Sequence, residues 1–178
     1  MRIKEINKWI DEGRSLPEDL TQEEKDHLTK LGWSLKEGWH PSGEKWYDHH
    51  FLHGKEHGKQ EGWYENGQKS FEQHCFHGSL HGKHEEWYSK GQKECERHYL
   101  HGKEHGKQEG WDPNGQKLYE HRYLHGQQHG KQEWWHTNGQ KWYEENFLHG
   151  MKHGVNKSWD KDGNLIKDKE YLYGNRIK

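Results

Sequence analysis

Trp39, Trp63, Trp87, Trp111, Trp135 and Trp159 recur at a fixed step of 24 residues, and Gly43, Gly67, Gly91, Gly115, Gly139 and Gly163 keep the same step. A period of that length means one small supersecondary unit repeated along the chain, each copy burying its apolar groups against its neighbours. Two more glycine columns share the step, Gly54 to Gly174 and Gly58 to Gly154. Five complete units fill residues 37–156, and a degenerate sixth runs from 157 to 178.

Within a unit the breakers are of two kinds. Asn66-Gly67 and its copies supply the positive-φ positions of a tight hairpin turn. The second breaker is His-Gly-x-x-His-Gly, as in His53-Gly54-Lys55-Glu56-His57-Gly58. Short aromatic-rich runs lie between, such as the segment from Lys45 to Leu52, and no helix of ten or more residues fits. The expected fold is therefore all-β: an elongated, single-layer antiparallel meander of β-hairpins with about twelve strands, two per unit. Residues 1–36 do not follow the period. Ile3, Ile6, Trp9 and Ile10 form an amphipathic stripe, and Thr21-Gln22-Glu23-Glu24 reads as a capping box opening a second helix that stops at Gly32. This segment is expected to be a small helical N-terminal cap over the first edge of the array.

Composition decides which partners are worth considering. Leu, Ile, Val and Phe make up only about 13% of the chain, a level associated with disorder, yet there are 11 Trp and 9 Tyr and the net charge is -2. Aromatic rings must then supply the buried area. Lys and Arg total 28 against 30 Asp and Glu, with no basic run, so there is no electrostatic footprint for nucleic acid and little attraction for anionic lipid. The N-terminus offers no uninterrupted apolar stretch, and Cys75 and Cys95 have neither disulfide-framework nor zinc-finger spacing. A reducing cytoplasm is the expected setting, with no cofactor and no metal.

The aromatic columns are the candidate binding face. Tyr47, Phe71, Tyr119 and Tyr143 share a column with Cys95, and Phe51, Tyr99, Tyr123 and Phe147 share another with Cys75. The two columns have the same strand parity and so line one face. A three-residue loop, Glu65-Asn66-Gly67 with Gly left-handed, is expected to bring Trp39, Trp63, Trp87, Trp111, Trp135 and Trp159 onto that same face. The acidic column Asp48, Glu72, Glu96, Glu120, Glu144 and Asp168 falls on the other face, matched by lysines on a solvated surface. Ten of the 19 histidines stand in the two His-Gly columns. Equivalent turns are ~9.6 Å apart, too far for imidazoles of equivalent turns to share one ion, which leaves a His-rich metal-responsive array as an alternative reading behind protein binding. No serine column, phosphate loop or acid pair suggests catalysis.

The segment from Phe51 to Gly58, followed by Trp63-Tyr64-Glu65-Asn66-Gly67-Gln68-Lys69, resembles the MORN repeat. The Trp-Tyr-x-Asn-Gly-Gln-Lys part is similar to the variant found in bacterial antitoxin-like proteins and in arrays encoded by large viruses. Gln60, His84, Gln108, Gln132 and Asn156 stand where the family usually has Gly. The resemblance implies a single-layer sheet of hairpins and a non-enzymatic role in protein–protein assembly, with a protein partner or a second copy on the aromatic face. Its second implication, association with membrane surfaces, is disfavoured by the charge balance.

Overall fold

In the structure, a computed structural model, residues 2–12, 16, 17 and 19–178 are described, so residues 1, 13–15 and 18 of the expected cap lie outside. Two short helices, α1 (Arg2–Asp11) and α2 (Gln22–Lys30), precede one open antiparallel sheet. Its strands are β1 (Trp33–Trp39), β2 (Lys45–Leu52), β3 (Lys55–Trp63), β4 (Lys69–Phe76), β5 (Ser79–Trp87), β6 (Lys93–Leu100), β7 (Lys103–Glu104), β8 (Gly106–Trp111), β9 (Lys117–Leu124), β10 (Gln127–Gln128), β11 (Gly130–Trp135), β12 (Lys141–Leu148), β13 (Met151–Lys152), β14 (Gly154–Trp159), β15 (Leu165–Leu172) and β16 (Asn175–Arg176). Among the described residues the count is sixteen rather than twelve. The second His-Gly interrupts three strands, so that β7 and β8, β10 and β11, and β13 and β14 are halves of single expected strands. No described helix is long and apolar enough to cross a membrane.

Both helices form for the reasons visible in the sequence. Ile6 and Ile10 of α1 are buried, and they pack with Leu28, Trp33 and Leu52 in a cluster of buried apolar side chains. At α2 the Thr21 hydroxyl accepts from the Glu24 N–H at 3.3 Å, and the Thr21 N–H donates to the Glu24 carboxylate at 2.8 Å. His57 fastens this segment to the sheet: fully buried, it donates Nε2–H to the Ile10 carbonyl at 2.7 Å.

The two glycine-bearing breakers do different jobs. At Asn66-Gly67 the Gly67 N–H bonds the Tyr64 carbonyl and the Tyr64 N–H bonds the Gln68 carbonyl, which is the expected three-residue loop with Gly67 left-handed. His53-Gly54 is a two-residue turn with φ of 50° and 75°, and the same histidine conformation recurs at His77, His101, His125 and His149. Two successive positive φ values give the type I′ geometry that matches strand twist. The following His57-Gly58 is no turn at all. It is a bulge inside β3, where Phe51 pairs with Glu56 and His49 with Gln60, so three residues oppose His50 alone.

That bulge pulls the backbone away from His50, and a side chain fills the gap. The Gln60 amide donates to the His50 carbonyl at 2.8 Å and accepts from its N–H at 3.2 Å, copying a ladder pair. Gln108 repeats this on His98 and Gln132 on Arg122. All three amides are buried in this gap. Gln108→Leu leaves the His98 N–H without its partner inside the sheet, and urea unfolding should show a loss of about 1–3 kcal/mol.

Candidate functional site

A second bulge decides what each face presents. Trp63 pairs with Lys69 but Gly62 pairs with Phe71, so Ser70 is an extra residue, and the same shift recurs in every hairpin that follows an Asn-Gly-type turn. One extra residue inverts the alternation of side chains. Trp39, Trp63, Trp87, Trp111, Trp135 and Trp159 therefore join the acidic column, on the face opposite Tyr47, Phe71, Tyr119 and Tyr143. The expectation of one shared aromatic face is corrected on this point, although the loop length behind it is as expected.

The tryptophan face is closed by charge. Glu61 lies directly across from Glu72, a like-charge pair that is unfavourable by itself. Lys69 reaches between them, with Nζ 2.6 Å from Glu61 and 2.5 Å from Glu72, and sits 5.9 Å from the Trp87 ring centre in the next unit. Lys45, Lys93, Lys117 and Lys141 make the same arrangement with Trp63, Trp111, Trp135 and Trp159. Burial by itself would lower the Lys69 pKa, but hydrogen bonds to Glu61 and Glu72 hold it above its ordinary value. Burial likewise opposes ionisation of Glu61, yet Lys59 and Lys69 keep its carboxyl below the usual range. Glu85, Glu109 and Glu133 are buried, so the expected solvated charge face is a nearly closed ion-pair ladder. Trp39 has no preceding lysine and stays 56% exposed.

The other face is more open. In three units a glycine lets the facing ring lie flat on the sheet: a Cβ at Gly62 would come within 2.3 Å of the Phe71 ring, and Gly38 and Gly110 stand in the same relation to Tyr47 and Tyr119. At Trp134 that column carries a ring instead. Trp134 pairs with Tyr119 on one side and Tyr143 on the other, and rings follow one another across three strands: Tyr119 to His121 at 4.7 Å, His121 to Trp134 at 4.5 Å, Trp134 to Tyr143 at 6.4 Å, and Tyr143 to Trp142 at 5.2 Å. Trp142, the bulged residue of its hairpin, is 45% exposed, and with Trp134, Tyr143 and Glu145 it lines a shallow cleft of about 310 Å³. Of this strip only Tyr119 and Tyr143 belong to the expected columns. The signal for the others was available as departures from the period, Trp134 in a glycine column and Trp142 beside it. Of the remaining expected residues, Phe51, Tyr99, Tyr123 and Phe147 are half-buried on the same face as the strip.

The histidine margin is closer-knit than the turn spacing implies. The bulge histidine of one unit packs at a steep tilt against the turn histidine of the next: His57 on His77, His81 on His101, His105 on His125 and His129 on His149, with ring centres 4.9–5.0 Å apart. Equivalent turns do not meet, but non-equivalent histidines of adjacent units do.

The junction of the second and third units differs from the others. His84 holds the glutamine position, Glu86 the glycine position and Cys95 the ring position, and the three meet on the open face. His84 Nε2 is 2.8 Å from Glu86 Oε1, His84 Nδ1 is 3.0 Å from Gln73 Oε1, and the Cys95 thiol donates to Glu86 Oε2 at 3.4 Å. Burial and the adjacent Glu86 charge push the Cys95 thiol up to about 12, and burial with Glu56 does the same to Cys75. The spacing of the two cysteines along the chain gave no sign of this grouping.

Two outcomes follow. Burial lowers the His121 pKa to about 4 from 6.5, so the unfolded chain takes up that proton first as pH falls. Its stabilising contribution is complete above pH 6.5 and lost progressively toward pH 4, and His121→Gln should flatten that part of a urea-midpoint profile. With both thiols pushed up to about 12, iodoacetamide at neutral pH should leave Cys75 and Cys95 largely unmodified in the native chain and modify both quickly in urea.

No curated protein matches the chain. The family described as MORN repeat variant matches over residues 56–74, 80–101, 104–125, 128–149 and 152–173. Each match starts at the same point of the period, on the residue before a His-Gly bulge, and together they span more than half the sequence. The hairpin repeat, its left-handed turns and its single-layer sheet are thus those of a chain that belongs to the MORN repeat variant family.

Proposed function

We propose that this chain is a non-enzymatic protein-interaction module that grips a segment of a protein partner on its open face, at the strip built from Trp134, Trp142 and Tyr143. The observation that carries the reading is Trp142, which is 45% exposed beside a ring-lined cleft while the tryptophans of the opposite face are mostly clamped under lysines. Exposed tryptophan and tyrosine grouped around a concave surface are the usual anchors of protein interfaces. Scaffolding is the general form of the role. An antitoxin-like role, in which the strip covers a toxin, is the more specific form suggested by the Trp-Tyr-x-Asn-Gly-Gln-Lys units, and a second copy of the chain is the other protein that fits. A reducing cytoplasm suits two unpaired, buried thiols.

Selection of a random peptide library on the full chain tests this. Enriched peptides should lose affinity about 30-fold with Trp142→Ala, the equivalent of a 2 kcal/mol anchor, and keep it with Trp39→Ala on the opposite face. Equal loss with both variants would sink the assignment. So would an absence of enrichment together with salt-sensitive flotation of the chain on acidic vesicles, which would favour a membrane-surface role instead.

A further inference from the structure

Three neighbouring positions depart from the period together where the second unit meets the third. His84 replaces the glutamine of Gln60, Gln108 and Gln132; Glu86 replaces the glycine of Gly62 and Gly110; Cys95 replaces the ring of Phe71, Tyr119 and Tyr143. Independent drift would scatter such changes, but here they face one another across β5 and β6, Glu86 directly opposite Cys95. One nitrogen, one carboxylate oxygen and one sulfur lie within 4.8 Å of each other. His84 and Cys95 are 8% and 2% exposed, while a depression of about 330 Å³ lined by Tyr64, Phe71, Gln73 and Glu94 leads to His84 and Glu86.

We propose that His84, Glu86 and Cys95 form a binding site for one divalent cation of the zinc class. Imidazole, carboxylate and sulfur together suit zinc rather than magnesium or calcium, and three protein ligands leave a fourth tetrahedral position for water. Packing alone explains a small cysteine beside a large glutamate. It does not explain the imidazole. The His84 ring spans the gap between two side chains, with Nδ1 3.0 Å from the Gln73 side-chain oxygen and Nε2 2.8 Å from Glu86 Oε1, so Nε2 is turned toward the carboxylate. The bond to Gln73 is also what a ligating histidine ordinarily makes to fix its tautomer, so Gln73 is a positioning residue. On binding, the Cys95 thiol gives its proton to solvent, sulfur and Glu86 each supply one negative charge, and the site becomes neutral. Arg97 lies opposite His84 and is engaged with Tyr119, and Glu94 stands at the rim.

Titration of the full chain with cobalt(II), a spectroscopic substitute for zinc, reads the site directly. One equivalent should produce a thiolate-to-cobalt band in the near ultraviolet that zinc then removes. The triple variant His84→Gln, Glu86→Gly, Cys95→Tyr carries what other units hold at these positions and should therefore fold, but it should give no band. Cys75→Ser should keep the band, and Gln73→Leu should weaken zinc binding about 10- to 100-fold. Adsorption of cobalt without the band, as the histidine margin alone would give, overturns the proposal. So does a band that survives in the triple variant or disappears with Cys75→Ser.

Discussion

A sheet one layer thick has no second layer to cover it, so beyond the helical cap its buried contacts must come from neighbouring strands and units of the same sheet. The lysine of the tryptophan face answers this constraint. Two carboxylates placed directly across a strand pair repel each other, and Lys69 is the side chain that makes Glu61 and Glu72 tolerable neighbours. The same ammonium lies against Trp87 in the following unit, so neutralising the local repulsion and joining the two units are one interaction. Tyr64 adds to the join, its hydroxyl donating to the Trp87 carbonyl at 2.8 Å, and Asn66 donates to the Ser89 carbonyl at 2.7 Å. Exposed ion pairs of this kind contribute little singly, but here they are half-buried, shared between three groups and repeated.

With one face closed in this way, the other is free to vary. The clamp residues are nearly constant from unit to unit, whereas the open face reads Phe71, Gln73 and Cys75 in one hairpin and Tyr143, Glu145 and Phe147 in another. The bulge makes that division possible. Without the extra residue at Ser70 the tryptophans would compete with the tyrosines for one surface, and the acidic column would lack its aromatic neighbour.

Much of this architecture was legible in the chain. The period, the loop at Glu65-Asn66-Gly67 and the Thr21 capping box are local matters of glycine, asparagine and hydroxyl chemistry, and local chemistry survives folding. The hairpin bulge was not legible, because the extra position holds Trp46, Ser70, Glu94, Leu118, Trp142 and Ile166, which share no property. A single uncounted residue then inverts the predicted faces, since the alternation has a period of two. The double role of His-Gly was hidden for a related reason: the same dipeptide serves as a turn at His53-Gly54 and as a strand bulge at His57-Gly58, and only the backbone path separates them. The ring strip and the His84 cluster lay in plain view as exceptions to their columns, but their convergence required the register.

The lysine clamp also bears on how such a chain can change over generations. Each clamp refers only to its own unit and the one that follows, through contacts that are the same at every internal junction. A duplication or loss of one whole unit, cut at any point of the period, restores every junction it touches. Length is therefore inherited almost independently of fold, and a stretch one period long that carries altered residues, such as the one spanning His84, Glu86 and Cys95, can be copied or discarded without disturbing its neighbours.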